Sequence, residues 1–178
     1  MDGIKINNMN IFFLDFDVKK CAKFHCDKHV VKMILETAQL LCSAHHVTIH
    51  DTIHDTIHVP YKLSHKNHPC SIWVRESLSN YLYLCELGLA LGEEYTYRYG
   101  KTHKSIEVIQ WCLTNRPNIK DIGFTTPPLA MPDEYKVESV IDSYRNYYKG
   151  AKSTIVSWKN REKPDWFLEK KELDLCYD

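Results

Sequence analysis

Hydrophobic positions recur at helical intervals along most of the chain, and this pattern predicts an all-α fold. From Val18 to His46 there is no Gly or Pro, and apolar residues return every three or four positions. A second long helical pattern covers Ser71–Tyr99, a shorter one covers Lys104–Asn115, and residues 131–135 lead into a further helix that ends near Tyr148. A last short helix is predicted around Thr154–Trp158. We therefore expect about five helices joined by long loops.

Residues with strong positional preferences mark the ends of these helices. Asp17 precedes the first helix as an N-cap, and a bend is expected near Asp27. Pro69 stands at or near the first position of the second helix, where its missing N–H is tolerated. Gly100 is placed to end that helix in a left-handed conformation. Pro117 stops the third helix.

The chain of 178 residues is long enough for one hydrophobic core, and nothing in it indicates a second core. We expect a single helical domain over residues 10–168, entered through a short extended apolar segment, Asn10–Leu14. Residues 1–9 are interpreted as a flexible extension and residues 169–178 as a tail. Residues 48–60 are interpreted as a low-complexity, His-rich loop.

This loop contains Thr-Ile-His-Asp twice, followed by Thr-Ile-His-Val. On a helix, His50, His54 and His58 would share one face at the i, i+4 spacing that can bind a metal. The alternative is a tandem duplication in a tolerant loop. Thr and Ile are mediocre helix formers, and no carboxylate outside the repeat completes a site. We therefore favour the loop and predict neither a metal site nor a cofactor.

Composition limits the classes of partner. The 23 basic and 23 acidic residues cancel, so any binding of nucleic acid must be concentrated in a few residues rather than spread over the surface. The seven cysteines form no CxxC pair, which argues against zinc ribbons and thioredoxin-like motifs and favours reduced thiols. No apolar run approaches the ~20 residues of a membrane span. We expect a cytoplasmic protein with no membrane partner.

The densest polar cluster lies in the first helix. His25, His29, Lys32 and Glu36 are spaced by four, three and four residues, so on one continuous helix they form a single stripe. Two imidazoles, an ammonium and a carboxylate could bind phosphate or provide a tuned general base. We take His29 and Glu36 as acid–base candidates, with Glu93 in reserve. The alternative is an exposed face with ordinary i, i+4 ion pairs.

Four further clusters mix aromatic residues with Lys, Arg and His. Such mixtures suit the stacking of bases on aromatic rings while cations hold phosphate. Alternatively, tyrosines at helix ends cover the core and keep their hydroxyl groups in water. The predicted phosphate-binding residues are Lys28, Lys32, His68, Arg75, Arg98, Lys101, Arg145 and Arg161. A two-His-one-carboxylate metal set, made of His25 and His29 with Glu36, Glu93 or Asp133, is the weaker alternative.

Four stretches, His25–Met33, Lys66–Cys70, Glu94–His103 and Ala130–Tyr135, resemble an uncharacterised protein family of bacteriophages and large DNA viruses. The resemblance extends over roughly residues 10–167 and implies no activity. The layout is also similar, more faintly, to that of the pyrimidine-dimer DNA glycosylases, which are small all-helical repair enzymes. In that family an apolar N-terminal segment leads into a helix with a catalytic glutamate between basic residues.

The glycosylase resemblance implies that Lys28 and Lys32 contact DNA, because they match the basic positions that flank the glutamate. Two departures concern the chemistry. His29 stands in place of the glutamate, and the chain begins Met1-Asp2 where the family has an N-terminal threonine whose amino group is the nucleophile. The resemblance therefore supports the fold and contact with nucleic acid more than it supports lyase chemistry.

From these observations we expect a glycosylase-like protein of viral DNA metabolism that binds DNA or a nucleotide, in the cytoplasm of an infected cell. A metal-dependent nucleotide hydrolase that uses the same imidazoles and carboxylates is the first alternative. A non-catalytic interaction protein, in which the polar clusters form a binding surface, is the second.

Overall fold

The computed structural model describes residues 9–49 and 57–168, and within these ranges it is built from α-helices, two short 3₁₀ turns and loops, without β-strands. This confirms the all-α prediction. The helices are α1 (Val18–Phe24), α2 (Asp27–Thr48), α3 (Pro69–Glu76), α4 (Leu78–Tyr99), α5 (Ser105–Thr114) and α6 (Val140–Lys149). The 3₁₀ turns cover Asp133–Tyr135 and Asp165–Phe167. Residues 1–8 of the predicted N-terminal extension, the predicted tail, and His50 and His54 of the repeat lie outside the described ranges, whereas Met9, which was placed in that extension, is described and buried.

The N-terminal apolar segment, Met9–Leu14, has no regular secondary structure and lies in the core. Phe13 and Leu14 are fully buried, and the ring of Phe13 packs edge-on against that of Trp73 at a centroid distance of 5.4 Å. Asp17 then caps α1 as predicted, because its side chain accepts a hydrogen bond from the backbone N–H of Lys20. This buried segment therefore anchors the start of the described chain just before the first helix.

The first predicted helix is two helices, so one part of the prediction was wrong. The bend expected near Asp27 is a complete break at His25 and Cys26, both of which have extended backbone angles. Partners distant in sequence use the polar groups at this break: the carbonyl of His25 accepts from Arg98, and the N–H of Asp27 donates to Ser157. The helical periodicity continues across the break and does not reveal it.

The second predicted helix, Ser71–Tyr99, is also divided. Ser77 is extended, with φ −147° and ψ 145°, and separates α3 from α4. The loop at residues 120–122 fills the gap, because Lys120 accepts from the N–H of Leu78 and Asp121 accepts from the hydroxyl of Ser77. At the far end Gly100 ends α4 with φ 64°, as predicted.

The helix predicted around Thr154–Trp158 does not form. Residues 151–155 are turns and residues 156–158 have no regular secondary structure, and the only regular element after α6 in the described chain is the 3₁₀ turn Asp165–Phe167. The backbone here bonds across the chain: Lys159 donates its N–H to the carboxylate of Asp27, and the indole of Trp158 donates to the carbonyl of Phe24. This segment therefore covers the junction between α1 and α2.

Helices α2, α4 and α5 pack against one another at Gly88. A Cβ atom at Gly88 would lie 2.7 Å from Thr37 of α2 and 2.9 Å from Ile109 of α5, so the small residue permits the close approach. The six described cysteines are buried free thiols, as expected from the sequence. None of the described helices has the length and apolar character needed to cross a bilayer.

Candidate functional site

The break between α1 and α2 changes the predicted polar stripe. His25 caps the end of α1 and is buried, with its ring Nδ1 2.7 Å from the carbonyl oxygen of Cys21. His29, Lys32 and Glu36 remain together on one face of α2, in the order that the spacing predicted. Of these three, only Lys32 is exposed. The stripe is therefore not the ordinary solvent-exposed face that we considered as an alternative.

This face of α2 forms one wall of a cavity of about 520 Å³. Five of its lining residues are basic by type: Lys28, His29, Lys32, His68 and Lys152. The remaining lining residues are mostly apolar and come from the N-terminal segment, α2, α3, α6 and two loops: Met9, Asn10, Phe12, Met33, Pro69, Leu129, Ala130, Met131, Pro132, Tyr147 and Ile155. We call this site the lysine cavity. It brings together four of the residues predicted for catalysis or phosphate binding.

Tyr148 fixes the protonation state of His29. The Tyr148 hydroxyl lies 2.6 Å from Nδ1 of His29, and burial raises the pKa of Tyr148 well above its ordinary value. The hydroxyl accepts from the backbone N–H of Cys26, and among the described residues Nδ1 of His29 is the acceptor within reach of its own proton, so we assign its donated hydrogen bond to Nδ1. The remaining proton of the neutral ring is then on Nε2. That nitrogen has no hydrogen-bond partner among the described residues, and His29 lines the cavity.

His29 stays neutral at physiological pH. Burial lowers its pKa to about 3, and the nearby positive charges of Lys152 and Lys32 act in the same direction, as does His25. The ring of Phe12 stacks on it at a centroid distance of 4.3 Å, which holds its plane. A neutral imidazole held in this tautomer is a hydrogen-bond donor through Nε2. This environment favours the binding of an acceptor over the uptake of a proton.

His68 also lines the cavity, and its ring is held in the same way. It is the N-cap of α3, and its Nδ1 accepts from the backbone N–H of Cys70 at 3.1 Å. Burial lowers its pKa, and the nearby His65 lowers it further, so the ring is neutral. The proton therefore sits on Nε2 here as well. The cavity thus has two neutral imidazoles of one tautomer.

Glu36 contacts two lining residues of the cavity, Lys32 and Asn10. One carboxylate oxygen is 3.2 Å from Nζ of Lys32, and the other accepts from the backbone N–H of Asn10 at 3.1 Å. The side-chain amide of Asn10 donates in turn to the carbonyl of Ala130 in the loop that lines the cavity. Burial raises the pKa of Glu36, while the charge of Lys32 opposes this rise. Glu36 is not itself among the lining residues, so its contacts position other groups.

Arg98 was predicted to hold phosphate, and its location contradicts that role. Its side chain is fully buried, and its guanidinium donates to the carboxylates of Glu94 and Asp27 and to the carbonyls of His25 and Lys23. These contacts join α4 to the break between α1 and α2. The hydrophobic pattern around Arg98 could not reveal this, because a buried arginine and a surface arginine have the same local sequence signature.

The other predicted sites lie outside the lysine cavity. Arg145 donates to the carbonyl of Leu14, and Arg161 forms a bidentate ion pair with Glu94, so both guanidinium groups hold the fold together. Arg75, in α3, donates to the carbonyl of Lys66 in the turn that precedes this helix. Lys101 is exposed beyond the end of α4, and Glu93 lines a different depression between α4 and α5.

Several cavity residues were missed from the sequence, above all Lys152. It lies on the turn after Gly150, and its Nζ sits 5.0 Å from the centroid of the Tyr147 ring. Tyr147 and Tyr148 belong to an aromatic cluster that the sequence did highlight, but their individual roles were not predicted. No local signal distinguishes Lys152 from the other lysines, because its position depends on how the chain returns to α2 after α6.

The described residues contain no group of three or more His, Cys, Asp or Glu side chains that could hold a metal ion. His58, the repeat histidine that the structure does describe, is exposed. The chain matches no protein-family model, and it is similar to no curated protein and to no solved structure. Its function is therefore argued from the cavity alone.

Proposed function

We propose that this protein binds a nucleotide in the lysine cavity, with the phosphate held by Lys28, Lys32 and Lys152. The observation that carries the proposal is the convergence of these three ammonium groups with His29 and His68 on one cavity. No aspartate or glutamate lines that cavity, and of its three lysines only Lys32 forms an ion pair with a described residue, Glu36. Phosphate oxygens accept hydrogen bonds from ammonium and N–H donors, and both kinds of donor are present.

The rest of the cavity suits the other parts of a nucleotide. Its size lies within the range of about 300–1,000 Å³ that is usual for small-molecule sites, and most of its wall is apolar. Leu129, Met131 and Ile155 provide aliphatic surface, and Tyr147 provides an aromatic ring beside Lys152. A sugar and base would pack there while the phosphate meets the lysines.

The distribution of charge favours a nucleotide, or one nucleotide of a strand, over a long stretch of duplex DNA. A surface that follows the DNA backbone needs many unpaired cations. Here the net charge is zero, and Arg98, Arg145 and Arg161 are engaged in internal ion pairs. The assignment to viral DNA metabolism, and to the cytoplasm of an infected cell, stays a prediction.

The proposed roles of His29 and Glu36 follow from their surroundings. His29 donates a hydrogen bond through Nε2 and does not act as a general base, because Tyr148 occupies its unprotonated nitrogen, Nδ1, and burial disfavours the protonated ring. Glu36 positions Lys32 and Asn10. The resulting function is binding, and no described residue of the cavity is assigned a proton transfer.

Calorimetric titration with the four 2′-deoxynucleoside 5′-monophosphates tests this proposal. At least one should bind, and the double substitution Lys28→Gln, Lys32→Gln should weaken its binding by about tenfold or more, because charge-assisted hydrogen bonds contribute about 1.5–3 kcal/mol each. Helix content, measured by circular dichroism, should not change, since both side chains are exposed.

The matched control is Lys101→Gln, Lys104→Gln, which removes the same charge from two exposed lysines outside the cavity. This variant should bind as tightly as the wild-type protein. If none of the four nucleotides binds, or if both double variants lose affinity equally, the proposal is wrong.

A further inference from the structure

We infer that the group recognised in the lysine cavity is a terminal phosphomonoester, as in a nucleoside monophosphate or at the phosphorylated end of a strand, and not the phosphodiester of a chain interior. This inference rests on the proposed function and specifies the chemistry of its ligand. It follows from the charge balance of the cavity and from the number and kind of its donors.

The charge balance points to a dianion. Lys28, Lys32 and Lys152 bring three positive charges, while Glu36, 3.2 Å from Lys32, brings one negative charge. His29 and His68 add none, because each ring is held as a neutral donor by a partner on Nδ1. Two positive charges are therefore left for the ligand. A terminal phosphate carries a charge of about −1.5 to −2 at pH 7, whereas a diester carries only one negative charge.

The hydrogen-bond donors of the cavity also fit a terminal phosphate better than a diester. A terminal phosphate has three strong acceptor oxygens, and a diester has two. The three ammonium groups and the Nε2–H groups of His29 and His68 offer more donors than a diester can use. Lys28 and His29 also lie in the first turn of α2, a helix of 22 residues, whose N-terminal end adds positive potential at the same place.

A sulfate ester provides a matched probe, because it keeps the tetrahedral shape of a phosphate monoester with a single negative charge. The experiment compares the best-binding deoxynucleoside 5′-monophosphate with the 5′-sulfate of the same nucleoside, by calorimetry on the full-length protein at pH 8. The phosphate should bind about tenfold or more tightly than the sulfate, because it carries one more charge into charge-assisted hydrogen bonds. In the Lys152→Gln variant this ratio should shrink.

Two oligonucleotide probes distinguish the sources of the monoester. A short single strand is titrated with a 5′-phosphate and with a 5′-hydroxyl end. If the mononucleotide binds and neither strand does, the ligand is a free nucleotide. If the 5′-phosphorylated strand binds too, the ligand includes strand ends. Either result supports the inference.

Equal affinity for the 5′-phosphate and the 5′-sulfate would overturn the phosphomonoester inference, and so would equal affinity for the phosphorylated and hydroxyl strands where these bind. In either case the nucleotide-binding proposal would stand. The absence of binding by every probe would instead remove the proposed function and this inference with it.

Discussion

Acidification from pH 7 to pH 5 should lower the free energy of unfolding by about 6 kcal/mol, through three buried histidines. Burial lowers the pKa of His25 and of His45 to about 4 and that of His29 to about 3. In the unfolded chain each histidine has a pKa near 6.5. Between that pH and the lower pKa of the folded state, the histidines are protonated in the unfolded chain but neutral in the folded protein, and this difference favours unfolding. Their stabilising effect is thus complete above pH 6.5 and is lost as the pH falls towards the folded pKa.

The size of the effect follows from the usual 1.36 kcal/mol per pH unit and per proton, which gives about 2 kcal/mol for each histidine at pH 5. Such a loss is comparable with the total stability of a typical domain, about 5–15 kcal/mol. Urea unfolding at pH 7 and pH 5 measures it. Most carboxylates do not titrate between pH 7 and pH 5, because their ordinary pKa is about 4. Glu36 is an exception: burial raises its pKa, so on acidification it takes up a proton more readily in the folded protein than in the unfolded chain, and this partly offsets the loss of stability.

The variant His45→Gln isolates one histidine from these other groups. His45 donates through Nε2 to the hydroxyl of Tyr81, which donates to the carbonyl of Cys112, and a glutamine amide can replace the first donor. This variant should lose about 2 kcal/mol less than the wild-type protein between pH 7 and pH 5. If the two proteins lose the same amount, buried histidines are not the cause of acid instability.

Replacement of Arg98 by Met should lower the free energy of unfolding by about 3–5 kcal/mol, the usual cost of removing one partner from a buried ion pair. Methionine keeps much of the length of the side chain, so the main change is the loss of charge and donors. Asp27, Glu94 and two backbone carbonyls would then lose a donor that lies inside the protein. Urea unfolding at neutral pH measures this loss.

Arg116→Met is the control, since Arg116 is exposed and its side chain makes one hydrogen bond to the described residues, at 3.4 Å to the carbonyl of Leu113. It should change stability by no more than about 0.5 kcal/mol. A loss below about 1 kcal/mol in Arg98→Met would show that the arginine is not central to the junction of α1, α2 and α4.

The hydrophobic periodicity predicted the helices themselves but not where two of them divide. Asp17 and Gly100 were predictable because a cap and a left-handed glycine act through neighbouring residues. The breaks at His25 and Ser77 depend on Arg98 and on Asp121, which are distant in sequence. Local patterns contain no information about such partners.

The candidate site, like the fold, was predictable only where its residues are linked by local sequence patterns. Lys28, His29 and Lys32 lie at helical spacing, and His68 belongs to a recognisable turn before Pro69, so these four could be selected from the sequence. Lys152 could not, because only the tertiary fold brings it to α2. The sequence also could not separate cations that line the cavity from those, such as Arg98, that neutralise buried carboxylates.

The assignment of the lysine cavity as the binding site is tested most directly by the ¹⁵N spectrum of the histidine rings. The spectrum is recorded on the whole chain at pH 7.5 while each of the four deoxynucleoside 5′-monophosphates is added. Without ligand, His29 and His68 should both be neutral with the proton on Nε2. On binding, their Nε2 signals should shift, while His45, whose Nε2 is bonded to Tyr81, should not change. Binding that leaves the signals of His29 and His68 in place, or a shift confined to His45, would contradict the assignment of the lysine cavity as the binding site.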